Sequence, residues 1–460
     1  MVTDGLMVSV SGVRGRVGEA LTPEVMATFA GGFGAWTRAR AGRQDTRPRV
    51  VVGRDSRVSG PMFHRVVLAA LQSVGCDIID VGLAPTPTIQ LAVESLHAAG
   101  GLAITASHNP IEWNALKFIA PTGLFLSADE GAAMRATMDR GIVRATWDQL
   151  GQVEIDRDAV ARHLDRILEL PYVDVAAIRT RRLHVALDCV RGAGGVVMPA
   201  LLERLGCRIS AINLEPDGHF PRPPEPIAAN LGALEALVRE SGADVGFAVD
   251  PDVDRLALVD ETGRAIGEDY TLALATAAVL PRRRGPVVTN LSTSRIVDDV
   301  AAEAGVAVLR APVGEVNVAL RMQAERSPIG GEGNGGVIVS ALHLGRDAPA
   351  GAALVLQFLT DAGNTPLSSI LGRWPRYAIV KDKLDRPAGS LDRAYEALKQ
   401  AFPGASLDSQ DGLRFAWEDS WLHVRPSGTE PIVRVIAEAR SEAQARDLVA
   451  QARVPITALA

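Results

Sequence analysis

The sequence predicts an α/β protein: three similar mixed blocks with helices packed on sheets, then a smaller C-terminal α+β domain. Three observations predict it. Strand-like and helix-like stretches alternate through the first 150 residues, the same alternation returns twice, and from about residue 371 it gives way to short strands with two helices. With 460 residues, 47% hydrophobic and 22% charged, the chain can bury several cores.

The elements follow in order. Thr22-Pro23 opens a helix with Met26, Phe29, Phe33 and Trp36 on one stripe. Residues 49–52 (RVVV) read as a buried strand ending at Gly53. A helix follows, with Ser59 or Gly60 as its cap and Pro61 in its first turn, running to Val74. Then come a strand at 78–81, a helix from Thr86-Pro87 to about Leu96 and a strand at 102–105. This βαβαβ rhythm predicts a mainly parallel sheet. The second block has strands at 183–187, 208–212 and 245–249, with helices ending near Leu205 and spanning 231–240. The third has helices at 270–280 and 296–304 and strands at 286–289 and 306–309. The tail has strands near 377–383, 413–417, 421–424 and 432–438 and helices near 390–401 and 441–452. Linkers are expected near 145–157, 260–269 and 366–375, which gives domains of 1–150, 151–260, 261–370 and 371–460.

Composition removes several function classes. The net charge is −6 and aromatics are 4%, which argues against a nucleic-acid binder lacking a basic face and stacking platforms. Cys76, Cys189 and Cys207 are far apart and never spaced C-x-x-C, so neither a zinc site nor a disulfide framework follows. The first ten residues lack the pattern of a secretory signal, and no apolar run is long enough to span a membrane. The expectation is a soluble cytoplasmic protein with no membrane partner, acting as a monomer or homodimer.

Four stretches carry chemistry. Residues 105–110 (TASHNP) fall where the third strand should end, the place where open α/β sheets bind ligands. The turn presents Ser107 as a nucleophile with His108 beside it, or is simply a polar exit from the strand. No G-x-S-x-G elbow exists, which disfavours a serine hydrolase. Residues 250–255 (DPDVDR) place Asp250, Asp252 and Asp254 at i, i+2 and i+4, an all-oxygen set suited to a hard cation. A calcium EF-hand fails because loop position 6 is Arg255 and no flanking helices are predicted. The competing reading, a solvated acidic turn, fits poorly after a continuously apolar strand. Arg255 supplies balancing charge or contacts a phosphate.

Residues 330–336 (GGEGNGG) let backbone approach a ligand, with Glu332 and Asn334 available for sugar hydroxyls; a flexible turn is the alternative. Residues 425–431 (RPSGTEP) bring one guanidinium, two hydroxyls and free N–H groups into a turn, a phosphate cradle made from Arg425, Ser427, Gly428 and Thr429. Two lesser candidates are the N-terminal loop holding Arg14 and the basic loop 53–57, each of which reads more simply as a solvated turn. His64, His97, His163, His184, His219, His343 and His423 show no ligand spacing and are read as structural or surface residues.

Together these motifs resemble the α-D-phosphohexomutase family, from SGVRG through TASHNP and DPDVDR to GEGNGG and RPSGTEP, over essentially the whole chain. The resemblance implies four domains around a central cleft, each giving one loop. It implies Ser107 as the phosphoserine, Asp250, Asp252 and Asp254 as a magnesium loop completed by a phosphoserine oxygen, and Glu332 and Asn334 as sugar-selecting residues. Arg425, Ser427, Gly428 and Thr429 would hold the non-reacting phosphate. The implied reaction moves a phosphoryl group between the 6- and 1-positions of a hexose through a hexose 1,6-bisphosphate. Lys117 matches the family's Asn-Gly-x-Lys position and is the first candidate for general base, with His108 and Arg14 as further ones; a neutral lysine would need a strongly lowered pKa. The loop has Asn334 and Gly336 where many phosphomannomutase/phosphoglucomutase members have serine and histidine, and residues 310–315 lack a histidine found in some. The pattern looks more like phosphoglucosamine mutases, with glucose or mannose phosphate as the alternative. A magnesium-dependent sugar phosphatase and a non-catalytic sugar-phosphate sensor are the rivals of another class.

Overall fold

The protein is described by a computed structural model covering residues 5–10, 12–41, 47–386, 391–427 and 432–458. These residues form four sheets, one for each predicted block. The first has seven strands in the order Met7–Val8, Gly12–Arg16, Trp113–Ile119, Gly100–Ile104, Arg49–Arg54, Asp77–Leu83, Val153–Ile155. Its last four strands are parallel. The others pair antiparallel. This sheet is therefore mixed, where the sequence rhythm predicts a mainly parallel one. The difference lies at residues 105–112, a connection too short for a crossover, so the chain must return as an antiparallel neighbour.

The second sheet runs Leu256–Asp260, Val245–Val249, His184–Asp188, Arg208–Ile212, and the third Val308–Ala311, Val287–Asn290, Ile329–Glu332, Gly336–Val339, His343–Arg346. Each again ends in antiparallel hairpins. The tail sheet is antiparallel throughout, in the order Ala378–Asp385, Ile432–Ala439, Trp421–Pro426, Leu413–Ala416, Ser406–Asp408, with helices Asp392–Ala401 and Glu442–Thr457.

Burial follows the apolar periodicity. Met26, Phe33 and Trp36 of helix Pro23–Ala41 enter the first core with Phe63, Val67 and Leu71 of helix Gly60–Ser73. The second and third blocks share one continuous core, in which Leu187 and Phe247 join Leu272, Val287 and Leu354. Helix Ala348–Asp361 threads that core. Asp347 caps it by accepting from Ala350 N at 2.8 Å, and Pro349 occupies its first turn. Two expected linkers are structured. Residues 366–375 contain helix Leu367–Leu371, whose Leu367 and Ile370 join the shared core, and residues 145–157 contain the edge strand Val153–Ile155. Among the described residues, no helix is long and apolar enough to cross a membrane.

Because Phe247 is fully buried in the shared core, Phe247→Ala should cost about 3–5 kcal/mol of stability. Urea unfolding followed by tryptophan fluorescence would measure this, and a loss below about 1 kcal/mol would contradict the packing described.

Candidate active site

Ser107 lies just past strand Gly100–Ile104, in a left-handed conformation (φ 48°) that ordinary residues avoid. A buried network imposes it. Asp55 Oδ2 accepts from Thr105 Oγ1 at 2.6 Å, and Thr105 Oγ1 accepts from Ser107 N at 2.9 Å. Arg57, fully buried, donates to Asp55 Oδ2 at 3.1 Å and to the carbonyls of Ser107, Asn109, Pro110 and Trp113 at 2.6–2.8 Å. The 53–57 loop is thus the clamp that shapes the 105–110 turn, not a solvated turn. Its guanidinium reaches carbonyls that no helix or sheet would satisfy.

The aspartate loop connects the antiparallel strands Val245–Val249 and Leu256–Asp260. Val253 adopts φ 65°, a strained conformation for a β-branched residue, and the turn folds Asp250, Asp252 and Asp254 together. All three are fully buried, with ligand oxygens within 4.8 Å of one another. Each carboxylate has one oxygen anchored. Asp250 Oδ1 accepts from the N–H groups of Asp254 and Arg255. Asp252 Oδ2 accepts from Lys117 Nζ and Thr86 Oγ1, both at 2.7 Å. Asp254 Oδ2 accepts from Arg346 Nη2 at 2.5 Å. The remaining Oδ1 atoms of Asp252 and Asp254 are buried without a hydrogen-bond partner. Arg255 Nε lies 3.7 Å from that of Asp254, too far to hydrogen-bond. Buried carboxylate oxygens without hydrogen bonds are costly, and two beside a third carboxylate make the donor set a divalent cation takes. The residues therefore fit a hard cation. Ser107 Oγ donates to Asp250 Oδ2 at 2.9 Å, so the serine reaches the same cluster.

The glycine-rich stretch forms a tight hairpin between Ile329–Glu332 and Gly336–Val339. A Cβ at Gly335 (φ 85°) would lie 2.5 Å from Leu256 O, and one at Gly333 would lie 2.2 Å from Asp269 Oδ1. The turn is therefore pressed against the aspartate hairpin and a neighbouring helix, and the glycines permit that approach. Glu332 is buried and accepts from Asn290 Nδ2, Gly314 N and Arg346 Nη1. Asn334 is half-buried and donates weakly to Glu332. Arg14 donates to Asn109 Oδ1 at 3.4 Å, and Arg255 pairs with Glu225 at 3.3 Å.

In the tail, Arg425 Nε donates to Asp411 Oδ2 at 2.8 Å, and Val313 N donates to the same oxygen. That carboxylate ties the tail to the loop whose next residue, Gly314, binds Glu332. Ser427 N closes the hairpin onto Ile432 O at 2.8 Å. Gly428 and Thr429 lie outside the described residues.

Electrostatics separate the candidate bases. Burial pulls Lys117 down, but Asp252 and Asp254 raise it further, so its net pKa is up and it sits as an ammonium. Arg255 and burial lower His108, which holds it neutral, with Nδ1 3.4 Å from Ser107 Oγ. Burial and its two carboxylate neighbours raise Asp250, whereas Lys117 and Thr86 overcome burial and lower Asp252.

Three groups at the site carry no motif: Arg346, Glu315 and Gln90. Arg346 also donates to Glu315 Oε2 at 2.9 Å, and Gln90 Nε2 donates to Glu315 Oε1 at 3.1 Å. The only local signal at Arg346 is the Asp-Ala-Pro cap that follows it. Of the remaining histidines, His163 and His343 meet at Asp347 Oδ2, at 2.7 and 2.9 Å. Gly345 N donates to His343 Nδ1 at 3.1 Å, so Nε2 carries the proton and is a donor rather than a metal ligand.

Four profiles match the chain in order: phosphoglucomutase/phosphomannomutase alpha/beta/alpha domain I over residues 6–142, domain II over 161–263, domain III over 267–377 and the C-terminal domain over 379–453. The chain belongs to the phosphoglucomutase/phosphomannomutase family. A phosphoglucomutase/phosphomannomutase of Thermococcus kodakarensis is 40% identical over 96% of both chains, and a probable phosphoglucosamine mutase of Methanopyrus kandleri is 37% identical over 95% of both. The fold matches a phosphoglucomutase/phosphomannomutase family protein of Burkholderia thailandensis with a TM-score of 0.84 and 25% identity, covering 98% of each chain. As a phosphohexomutase the chain is an intramolecular phosphotransferase of the isomerase class.

Asp269, which buttresses the hairpin turn, has its pKa pushed up to about 7, chiefly by burial. An unfolded aspartate ionises near pH ~4. Between those values the folded state binds more protons, so raising the pH costs stability. Asp269→Asn should therefore gain stability over wild type as the pH rises from about 4 to about 8, by on the order of 2–4 kcal/mol. Parallel wild-type and variant stability curves in urea across that window would contradict the assignment.

Proposed function

We propose that this phosphohexomutase interconverts glucosamine 6-phosphate and glucosamine 1-phosphate, with Ser107 as the phosphoryl carrier and a hexose 1,6-bisphosphate as intermediate and activator. The observation that carries the reading is Ser107 Oγ, 2.9 Å from Asp250 Oδ2, at the edge of a buried aspartate triad with two orphaned oxygens.

In the forward half-reaction a hydroxyl of the sugar monophosphate attacks the phosphorus of phosphorylated Ser107. The new O–P bond forms as the P–Oγ bond breaks, and the hydroxyl proton passes to a base. Of the three candidate bases His108 is the neutral one, 3.4 Å from the oxygen that leaves, so it is the acceptor we assign. Lys117, paired with Asp252, acts as a fixed cation and donor, and Arg14 stays protonated. The bisphosphate then turns over, and Ser107 Oγ takes the other phosphoryl group. Asp250, Asp252, Asp254 and Ser107 would hold magnesium, which supplies positive charge against the spreading phosphoryl charge. Arg255 lies at the edge of that loop for the reacting phosphate. Glu332 and Asn334 select the sugar hydroxyls, and Arg425, Ser427, Gly428 and Thr429 grip the phosphate at the far end, Arg by a two-oxygen fork.

Glucosamine is favoured by the hairpin sequence around Asn334 and by relatives named probable phosphoglucosamine mutase. Glucose or mannose phosphate is the second reading, because the 40% identical relative is named phosphoglucomutase/phosphomannomutase.

With magnesium and a hexose 1,6-bisphosphate, the protein should convert glucosamine 1-phosphate to the 6-phosphate without releasing inorganic phosphate. Chelation should stop turnover and magnesium restore it. Ser107→Ala should lower the rate by about 10³-fold or more. Turnover by the alanine variant would remove the carrier role, and net phosphate release would show a phosphatase. A side-by-side panel of sugar 1-phosphates decides the sugar.

A further inference from the structure

We infer that Arg346 is a positioning residue that sets the cation-holding loop and the sugar-facing hairpin as one unit; this rests on the functional reading above. Its side chain is 10% exposed and meets three carboxylates from three places in the chain. Nη2 holds Asp254 Oδ2 at 2.5 Å, Nη1 holds Glu332 Oε2 at 2.9 Å and Nε holds Glu315 Oε2 at 2.9 Å. A guanidinium is planar and rigid, so its fork fixes the directions of the groups it binds relative to each other.

Two consequences follow from the contacts. By occupying Oδ2 of Asp254, Arg346 leaves Oδ1 as the oxygen available to a cation; that Oδ1 has no hydrogen-bond partner, and Arg255 Nε stands 3.7 Å from it. Glu315 reaches on through Gln90 to helix Thr86–Ser95, whose Thr86 anchors Asp252. The same helix and the same guanidinium thus set the free oxygens of two of the three carboxylates. One cation shared by three carboxylates also makes the arms interdependent: loss of one arm strengthens its hold on the others. Through it, the state of Glu332 affects how readily Asp254 gives itself to a metal, and by linkage the reverse holds.

Titration calorimetry on the unphosphorylated full-length protein tests this, with magnesium chloride alone and with glucosamine 6-phosphate alone. Arg346→Lys keeps the charge but cannot span three carboxylates. It should weaken both affinities about tenfold or more. Glu315→Gln removes the third arm of the same guanidinium, so by the same sharing it should weaken magnesium binding about threefold or more. Glu332→Gln leaves Arg346 to Asp254 and Glu315, and should weaken magnesium binding about threefold or more in the absence of sugar. That variant carries the test if Arg346→Lys does not fold. Unchanged magnesium binding in Glu332→Gln or in Glu315→Gln, or a loss of only one affinity in Arg346→Lys, would overturn the role of Arg346 and leave the functional reading standing. Wild-type protein that binds no magnesium would overturn that reading and this inference with it.

Discussion

Three aspartates sharing one dry site cannot all keep their charge unless something answers it. Asp250, Asp252 and Asp254 are fully buried within a few ångströms of one another, and removing even one carboxylate from water costs several kcal/mol before any compensation. The chain answers with fixed donors on one side of each carboxylate: backbone N–H groups for Asp250, Lys117 and Thr86 for Asp252, Arg346 for Asp254. The Oδ1 oxygens of Asp252 and Asp254 are left without hydrogen bonds, and Ser107 donates to Asp250. The arrangement fits half of a cation site, and the surrounding contacts hold that half in place.

Several features of the fold follow from this demand. The loop bearing Ser107 and the loop bearing the triad each hold a non-glycine residue in left-handed backbone, at Ser107 and Val253. Such strain persists only where neighbours over-determine it. Arg57 does so for the first loop with four carbonyl contacts, and the press of the glycine hairpin does so for the second, with Leu256 N donating to Gly335 O at 3.0 Å. Helix Thr86–Ser95 is the strut between blocks: Thr86 meets Asp252, Thr88 meets His163 and Gln90 meets Glu315.

The sequence made legible what is periodic or local. Apolar runs such as 49–52 and 245–249 announce buried strands, and three carboxylates after such a run announce a cluster. Antiparallel returns were hidden: Trp113–Ile119 and Leu256–Asp260 follow the motifs directly, so the polar residues before them mask the strand signal. The glycine-rich stretch reads as a loop because glycine carries no strand preference, yet pairing and close approach make it a hairpin. Arg57, Glu315 and Arg346 could not be read because their meaning lies in long-range partners. Arg57 in particular looks like any solvated arginine until the carbonyls of 107–113 are folded over it. The stretch near 370 has the polarity of a linker but buries Leu367, Ile370 and Trp374.

Diffraction from crystals soaked in manganese, which takes the same oxygen ligands as magnesium, tests the central claim most directly. The account predicts one anomalous peak enclosed by Asp250, Asp252 and Asp254, at ordinary metal–oxygen distance from the oxygen carried by residue 107. A peak elsewhere, or an ion in the triad with that side chain turned away from it, would contradict it.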